Sequence, residues 1–302
     1  MGNILVVGSL NMDHVIRSPE IPLPGETVLG TSLNLVPGGK GANQAYAAGK
    51  LGAHTMMIGA VGNDANGKAL TDNLQSVGVD TTGIAVIEDQ PTGAAFITVN
   101  DKGENNIIVV PGANSKLSPS HILANEALFD ECDAVLMQIE IPMETIICAA
   151  KLAKQKGKLV ILDPAPVPPS FPKELIQYVD IIKPNEYELA RLSAMPTDTM
   201  EHIHSAAEKM RTLGIQTLVV TLGENGTVLV KQDTFEHFPS HKVKVVDTTA
   251  AGDSFVAALA LHLTNGGTIE DAIRFGNQVS AIVVTRAGAQ TSIPSLSEVK
   301  QL

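Results

Sequence analysis

Asp253 ends a run of small residues, Asp247-Thr248-Thr249-Ala250-Ala251-Gly252-Asp253, set between an alternating stretch at 242–246 and an apolar series at 254–261. The alternation predicts a strand and the apolar series a helix, so the run reads as a strand-to-helix turn. Small residues there let the backbone N–H groups of Ala250, Ala251 and Gly252 converge at the positive end of a helix dipole, which favours anions. A carboxylate is no anion ligand, but it is a base. Asp253 can take a proton from a hydroxyl while the adjacent N–H groups hold the phosphoryl group being attacked. An acid-capped helix after a glycine turn would use the same letters.

A second segment, Pro37-Gly38-Gly39-Lys40-Gly41-Ala42-Asn43-Gln44, leads into another small-residue helix pattern at 45–51. Its glycines clear space beside the backbone. Lys40, Asn43 and Gln44 offer donors and acceptors suited to a polyhydroxylated ligand, where paired hydrogen bonds matter most. It is not a Walker A loop, because no Gly-Lys-Ser/Thr follows a four-residue spacer.

These residues must be positioned by a scaffold. Short apolar runs at 4–7, 56–58, 134–137, 159–162, 181–183, 217–221 and 227–230 predict strands. Helical patterns at 68–76, 143–155, 199–213 and 268–281 lie between them. That alternation predicts an α/β fold with a mostly parallel sheet and helices on both faces. Residues 14–36 and 83–110 break the rhythm and read as β segments punctuated by Pro, Gly, Asn and Asp. In open α/β sheets ligands bind beyond the carboxyl ends of the strands, where Asn11, Asp13, Glu140 and Asp253 all fall. An ionised Asp13 accepts from two vicinal hydroxyls, whereas Asn11 both donates and accepts.

Composition sets limits. Of 302 residues 44% are hydrophobic, ample for a core, but only 3% are aromatic and none is Trp, so Val, Ile, Leu and Ala must fill it. The net charge of −11 argues against nucleic acid or an anionic membrane as partner, since either needs a basic face. Cys132 and Cys148 have no metal-ligand spacing and fit a reducing compartment. No apolar run reaches membrane-spanning length, and a cytoplasmic location is expected.

Seven motifs in order resemble the ribokinase-like sugar kinase family, the phosphofructokinase-B group. They are Gly8-Ser9-Leu10-Asn11-Met12-Asp13, Gly38 to Ala45, Gln138-Ile139-Glu140, Lys183 to Glu188, Thr221 to Gly226, Asp247 to Asp253, and Val284 to Gln290. The resemblance covers essentially the whole chain. It implies one three-layer α/β unit over residues 1–302, with a small β-sheet lid formed by the 14–36 and 83–110 insertions.

The resemblance also implies an activity: transfer of the γ-phosphoryl group of ATP to the 5-hydroxyl of D-ribose. Asn11, Asp13, Gly39, Lys40, Asn43 and Glu140 would line the sugar, with Asp253 as base. Asn185, Thr221, Gly223, Gly226, Gly252 and Asn277 would hold ATP. Asn185 and Glu188 would organise Mg²⁺ and its waters, although an N-cap and a first-turn acid would look the same. Asp247 and Thr249, with carbonyls near Val283, Arg286, Gly288 and Ser292, would enclose an activating K⁺. A homodimer through the lids is implied as well.

Some residues depart from the family pattern: Ala250 for a common Gly, Val256 for Asn, Asp163 for Asn, and Asn277 for His in some relatives. The alternatives are a kinase of 2-deoxyribose, fructose or adenosine, and an inactive sugar-binding regulator. Lys40-Gly41-Ala42-Asn43 weighs against a nucleoside, and intact Gly252 and Asp253 weigh against the regulator.

Overall fold

The computed structural model describes residues 2–232 and 234–301. Along the chain the strands are β1 (Asn3–Val7), β2 (Asn11–Arg17), β3 (Ser32–Gly38), β4 (His54–Gly62), β5 (Asp80–Ile87), β6 (Gly93–Val99) and β7 (Asn105–Val110). They continue as β8 (Ala134–Met137), β9 (Leu159–Leu162), β10 (Ile181–Ile182), β11 (Thr217–Thr221), β12 (Thr227–Lys231) and β13 (Thr234–Phe238). The helices are α1 (Lys40–Lys50), α2 (Ala65–Gln75), α3 (Pro119–Ala124), α4 (Glu126–Glu131), α5 (Met143–Gln155) and α6 (Lys173–Ile176). After them come α7 (Glu186–Ser193), α8 (Met200–Thr212), α9 (Ala251–Thr264), α10 (Ile269–Val283) and α11 (Leu296–Val299).

Nine strands form one sheet in the order β13-β12-β11-β10-β9-β8-β1-β4-β5. Every pairing from β5 across to β11 is parallel, and the β11–β12 and β12–β13 pairings are antiparallel, so β12 alone runs against the rest. Parallel strands buried on both faces are expected to be apolar throughout, as Ala134-Val135-Leu136-Met137 is. The pleat sends alternate residues to opposite layers. Leu5 and Val7 join a core with α5, α7 and α8, while Ile4 and Val6 join one with α1, α9 and α10. The expected three-layer, mostly parallel architecture is present.

A separate four-stranded sheet has the order β3-β2-β6-β7. Its composition corrects the lid boundary read from the sequence. Residues 80–87 pair with β4 at the edge of the large sheet, so the second contribution to the small sheet begins at Gly93, not at 83. The alternation of 80–87 is that of a half-buried edge strand, which composition does not distinguish from a lid strand.

A second correction concerns residues 242–246. They form no strand; Val246 and Asp247 instead donate their N–H groups to Val284 O at the end of α10. The sheet ends at β13, and the alternating valines pair with no strand of it. α9 is a helix as expected, and Ser254 to Leu261 are all buried, so it crosses the interior between α1 and α10.

Candidate active site

The first turn of α9 is the centre of the site. Ala250, its N-cap, is left-handed with φ 61°, and Ala251 N–H donates to Thr248 O at 3.2 Å. The expected trio of free N–H groups is thereby corrected. Ala251 is spent on closing the turn, and those of Ala250, Gly252 and Asp253 have no acceptor among the described residues. Three donors still converge at the helix start, in a different set.

Asp253 is buried, and both carboxylate oxygens are held. Asn43 Nδ2 donates to Oδ2 at 3.0 Å, and Gln44 Nε2 donates to Oδ1 at 3.2 Å. Gln290 Nε2 donates to Asn43 Oδ1 at 3.0 Å, and Asn73 donates in turn to Gln290. Gln138 Nε2 reaches Gln44 Oε1 at 2.6 Å. Two files of amides, buried except at Asn73, thus aim their N–H ends at one carboxylate. Gln44, read as a sugar-facing group, is completely buried in this network and faces no ligand. Burial pushes the Asp253 carboxyl above the ordinary aspartate range; Lys40 and the two amides pull it down without cancelling that, and Asp163 adds to it. Asp253 is therefore a stronger base than a free aspartate.

The sugar-side residues come together at the base of the small sheet. Asn11 pairs with Gly38 on one side and Gly93 on the other, and Asp13 lies two residues along the same face. A side chain on Gly38 would collide with the Asp13 carboxylate, and one on Gly93 with the Asn11 amide. Gly39 has φ 88°, which only glycine adopts easily, and it turns the chain from β3 into α1. Asn114, which no motif announced, bonds both Leu10 N and O and donates to Asn11 Oδ1 at 2.9 Å. That fixes the Asn11 amide so that its N–H₂ end faces away from Asn114. Glu140 accepts from Ser9 Oγ and from Lys40 N. Asp13 is raised to about 7 by burial first, then by Glu140 and Asp253. Burial works against the Lys40 ammonium, yet Asp253, Asp163, Glu140 and Glu188 outweigh it and hold its pKa above the ordinary lysine value.

The nucleotide-side residues line one cavity of about 850 Å³. Lys40, Asn185, Glu188, Thr221, Gly223, Gly226, Ala250, Gly252, Asp253 and Asn277 are all on its wall, joined by Asp163 and Lys183. Thr221 and Asn185 bridge, which brings the two motifs side by side. Asn185 and Glu188 form a complete capping box at the start of α7, so the capping alternative is realised. Glu188 still reaches the cavity, its carboxyl raised by burial against the pull of Lys183. Asn277 accepts from Thr227 Oγ1 at 2.7 Å and donates to the carbonyls of Phe238 and Pro239, which commits its amide to holding the wall.

Behind the turn, Asp247 Oδ1 accepts from Thr249 N and Oγ1, and Oδ2 accepts from Gly288 N at 2.9 Å. Val283 O accepts from Arg286 N, and Ser292 N and Oγ both bond Ala289 O. Partial burial raises the Asp247 carboxyl, but these hydrogen bonds overcome it and leave the group below its ordinary range. Among the described residues no cluster of three or more His, Cys, Asp or Glu could hold a metal by itself. No described helix is long and apolar enough to cross a membrane.

Residues 1–296 match the pfkB family carbohydrate kinases. This chain belongs to that family. It is 39% identical over 295 residues to a ribokinase of Haemophilus influenzae, covering 98% of this chain and 96% of that protein. It is 34% identical over 296 residues to a deoxyribokinase of Salmonella typhimurium, covering 98% and 97%. Among solved structures, the ribokinase of Arabidopsis thaliana complexed with ribose and ATP superposes with a TM-score of 0.94 at 36% identity, covering 100% of this chain and 98% of that one.

Proposed function

We propose that this protein transfers the γ-phosphoryl group of ATP to the 5-hydroxyl of D-ribose, giving ribose 5-phosphate and ADP. One observation carries the reading: Asp253, a buried base on α9, stands between a cavity of nucleotide size and the Asn11–Asp13 row of the small sheet. The ribokinases among its relatives support the same acceptor.

In this reading Asn11 and Asp13 take the ring hydroxyls, with Gly39, Lys40, Asn43 and Glu140 completing the sugar wall. ATP lies against Asn185, Thr221, Gly223, Gly226 and the wall held by Asn277. Asp253 orients the 5-hydroxyl and accepts its proton as the oxygen bonds to the γ-phosphorus; the bond to the β-phosphate oxygen breaks and ADP leaves. The N–H groups of Ala250, Gly252 and Asp253 meet the charge on the transferring group.

Mg²⁺, carried in with ATP, would neutralise the phosphates. The raised Glu188 carboxyl and the unpartnered buried Oδ1 of Asp163 fit a hydrated cation near Asn185. Asp247, Thr249 and the carbonyls of Val283, Arg286, Gly288 and Ser292 would hold K⁺ and stiffen the turn beneath the donors. In the small sheet Leu35, His14, Phe96 and Ile108 form one row on the face opposite Asp13, and Leu35, Phe96 and Ile108 are exposed. An uncovered apolar row of this kind fits a lid-to-lid homodimer. The single-unit organisation with an embedded lid belongs to the same reading.

The test is ADP release from MgATP with ribose, 2-deoxyribose, fructose or adenosine, each with K⁺ or Na⁺ at equal ionic strength. Fastest turnover with ribose in K⁺ is expected. A preferred different acceptor would move the substrate, and equal rates in both salts would remove the K⁺ site. Light scattering is expected to give twice the chain mass, and a single chain mass would remove the dimer.

A further inference from the structure

Lys183 is not used by the mechanism above, although its side chain is almost wholly buried on the floor of the cavity. It follows β10 directly, the last residue before Pro184, so the sheet fixes where its backbone stands. Its Nζ lies 3.4 Å from Asp163 Oδ2, longer than a charge-assisted hydrogen bond normally is. Asp163 Oδ2 also accepts from Gln44 at 3.1 Å, and Oδ1 has no partner. The ammonium has three donors, and no other acceptor for them is found among the described residues.

Its other neighbour is the start of α9. A β-carbon placed on Gly252 would stand 3.2 Å from Lys183 Nζ. A buried cation therefore faces the positive end of a helix dipole and its free N–H groups. Two positive features pressed together are unfavourable unless an anion lies between them. The spot they share is beside Asp253, where the attacked phosphoryl group would be.

Resting on the proposed phosphotransfer, we infer that Lys183 is a further catalytic residue, whose ammonium donates to the γ-phosphoryl oxygens and strengthens that contact as charge develops. Asp163 is its resting counter-ion, keeping a buried ammonium tolerable while the cavity is empty. No proton moves in this role.

The test separates contact from charge balance by comparing Lys183→Met with the double variant Asp163→Asn/Lys183→Met, in which no lone charge is left buried. With ribose, kcat of Lys183→Met is expected to fall about 100-fold, the usual loss for one transition-state donor. The double variant should regain the wild-type melting temperature and remain as slow as the single one. Affinity for the β,γ-imido analogue of ATP should fall about tenfold in both, with affinity for ADP changed less than about threefold. A kcat for the double variant within about threefold of that of Asp163→Asn alone would make Lys183 a charge partner only, and so would equal losses for ADP and the analogue. The nucleotide comparison needs no sugar. A wild-type protein inert toward ribose, whose analogue binding still depends on Lys183, would count against the acceptor and not against this contact.

Discussion

Replacing Asp13 by Asn should make the unliganded protein more stable, by an amount that depends on pH in a defined way. The Asp13 carboxyl is raised from 3.8 to about 7, by burial and by the nearby Glu140 and Asp253. For an acid raised on folding, the folded state binds the proton more tightly, so folding is not penalised below about pH 4. The penalty grows as pH rises toward 7 and is constant above it. Three units correspond to about 4 kcal/mol at pH 8, and at pH 5 only about 2 kcal/mol has accumulated. An amide of the same shape cannot ionise and escapes the penalty. Whatever constant offset it introduces, its advantage over wild type should widen by roughly 2 to 3 kcal/mol between pH 5 and pH 8. Urea unfolding of both proteins without ligand, at pH 5, 6, 7 and 8, measures this. Sugar affinity should fall in the same variant, since an acceptor is lost. A stability difference that is flat with pH, or that favours wild type at pH 8, would refute the assignment of a strained carboxyl at the sugar wall.

Asp253→Asn should lower kcat by at least about 100-fold, because the amide can hold Asn43 or Gln44 but cannot take a proton; near-wild-type turnover would remove the base. Asn114→Ala should raise the KM for ribose about tenfold with kcat within about threefold, since it frees the Asn11 amide to rotate. Steady-state kinetics against ribose checks both. Gly41→Ala should destabilise the fold by about 2 kcal/mol, because its β-carbon would stand 2.6 Å from the backbone of Gly8 and Ser9. An unchanged urea midpoint in that variant would contradict so tight a contact between α1 and the turn after β1.

The sequence made legible what is written locally. The apolar runs of the parallel strands, the turns into α1 and α9, and the place of Asp253 in the first turn of α9 need only a few neighbouring residues to be recognised. What it hid depends on partners far along the chain. Residues 80–87 and 242–246 both alternate, but one finds β4 beside it and the other finds the end of α10, and alternation carries no information about the neighbour. Asn73, Gln138 and Gln290 are ordinary amides until folding lines them up on Asp253 from three distant segments. Asn114 has no motif at all, and its contacts lie 103 and 104 residues away. Lys183 stood inside a recognised motif, yet only its distance to Gly252 gives it a direction.

Gly38, Asn11 and Gly93 sit level with one another across three strands of the small sheet, and Asn114 ties that row to Leu10. Were the small sheet to tilt as a unit, that row would be its pivot. From it β2 extends seven residues to Arg17, a lever of about 20 Å at the usual rise per residue. Ten degrees of rotation would swing the far end by about 3 to 4 Å over that length while Asn11 stayed almost still. On the proposed reading, a pivot there would set the grip on the sugar at Asn11 and the traffic of sugar at the rim, so the two could be tuned separately. Substitutions near Arg17 should alter how fast ribose enters and leaves while its equilibrium affinity holds, and rapid-mixing measurements would detect the difference.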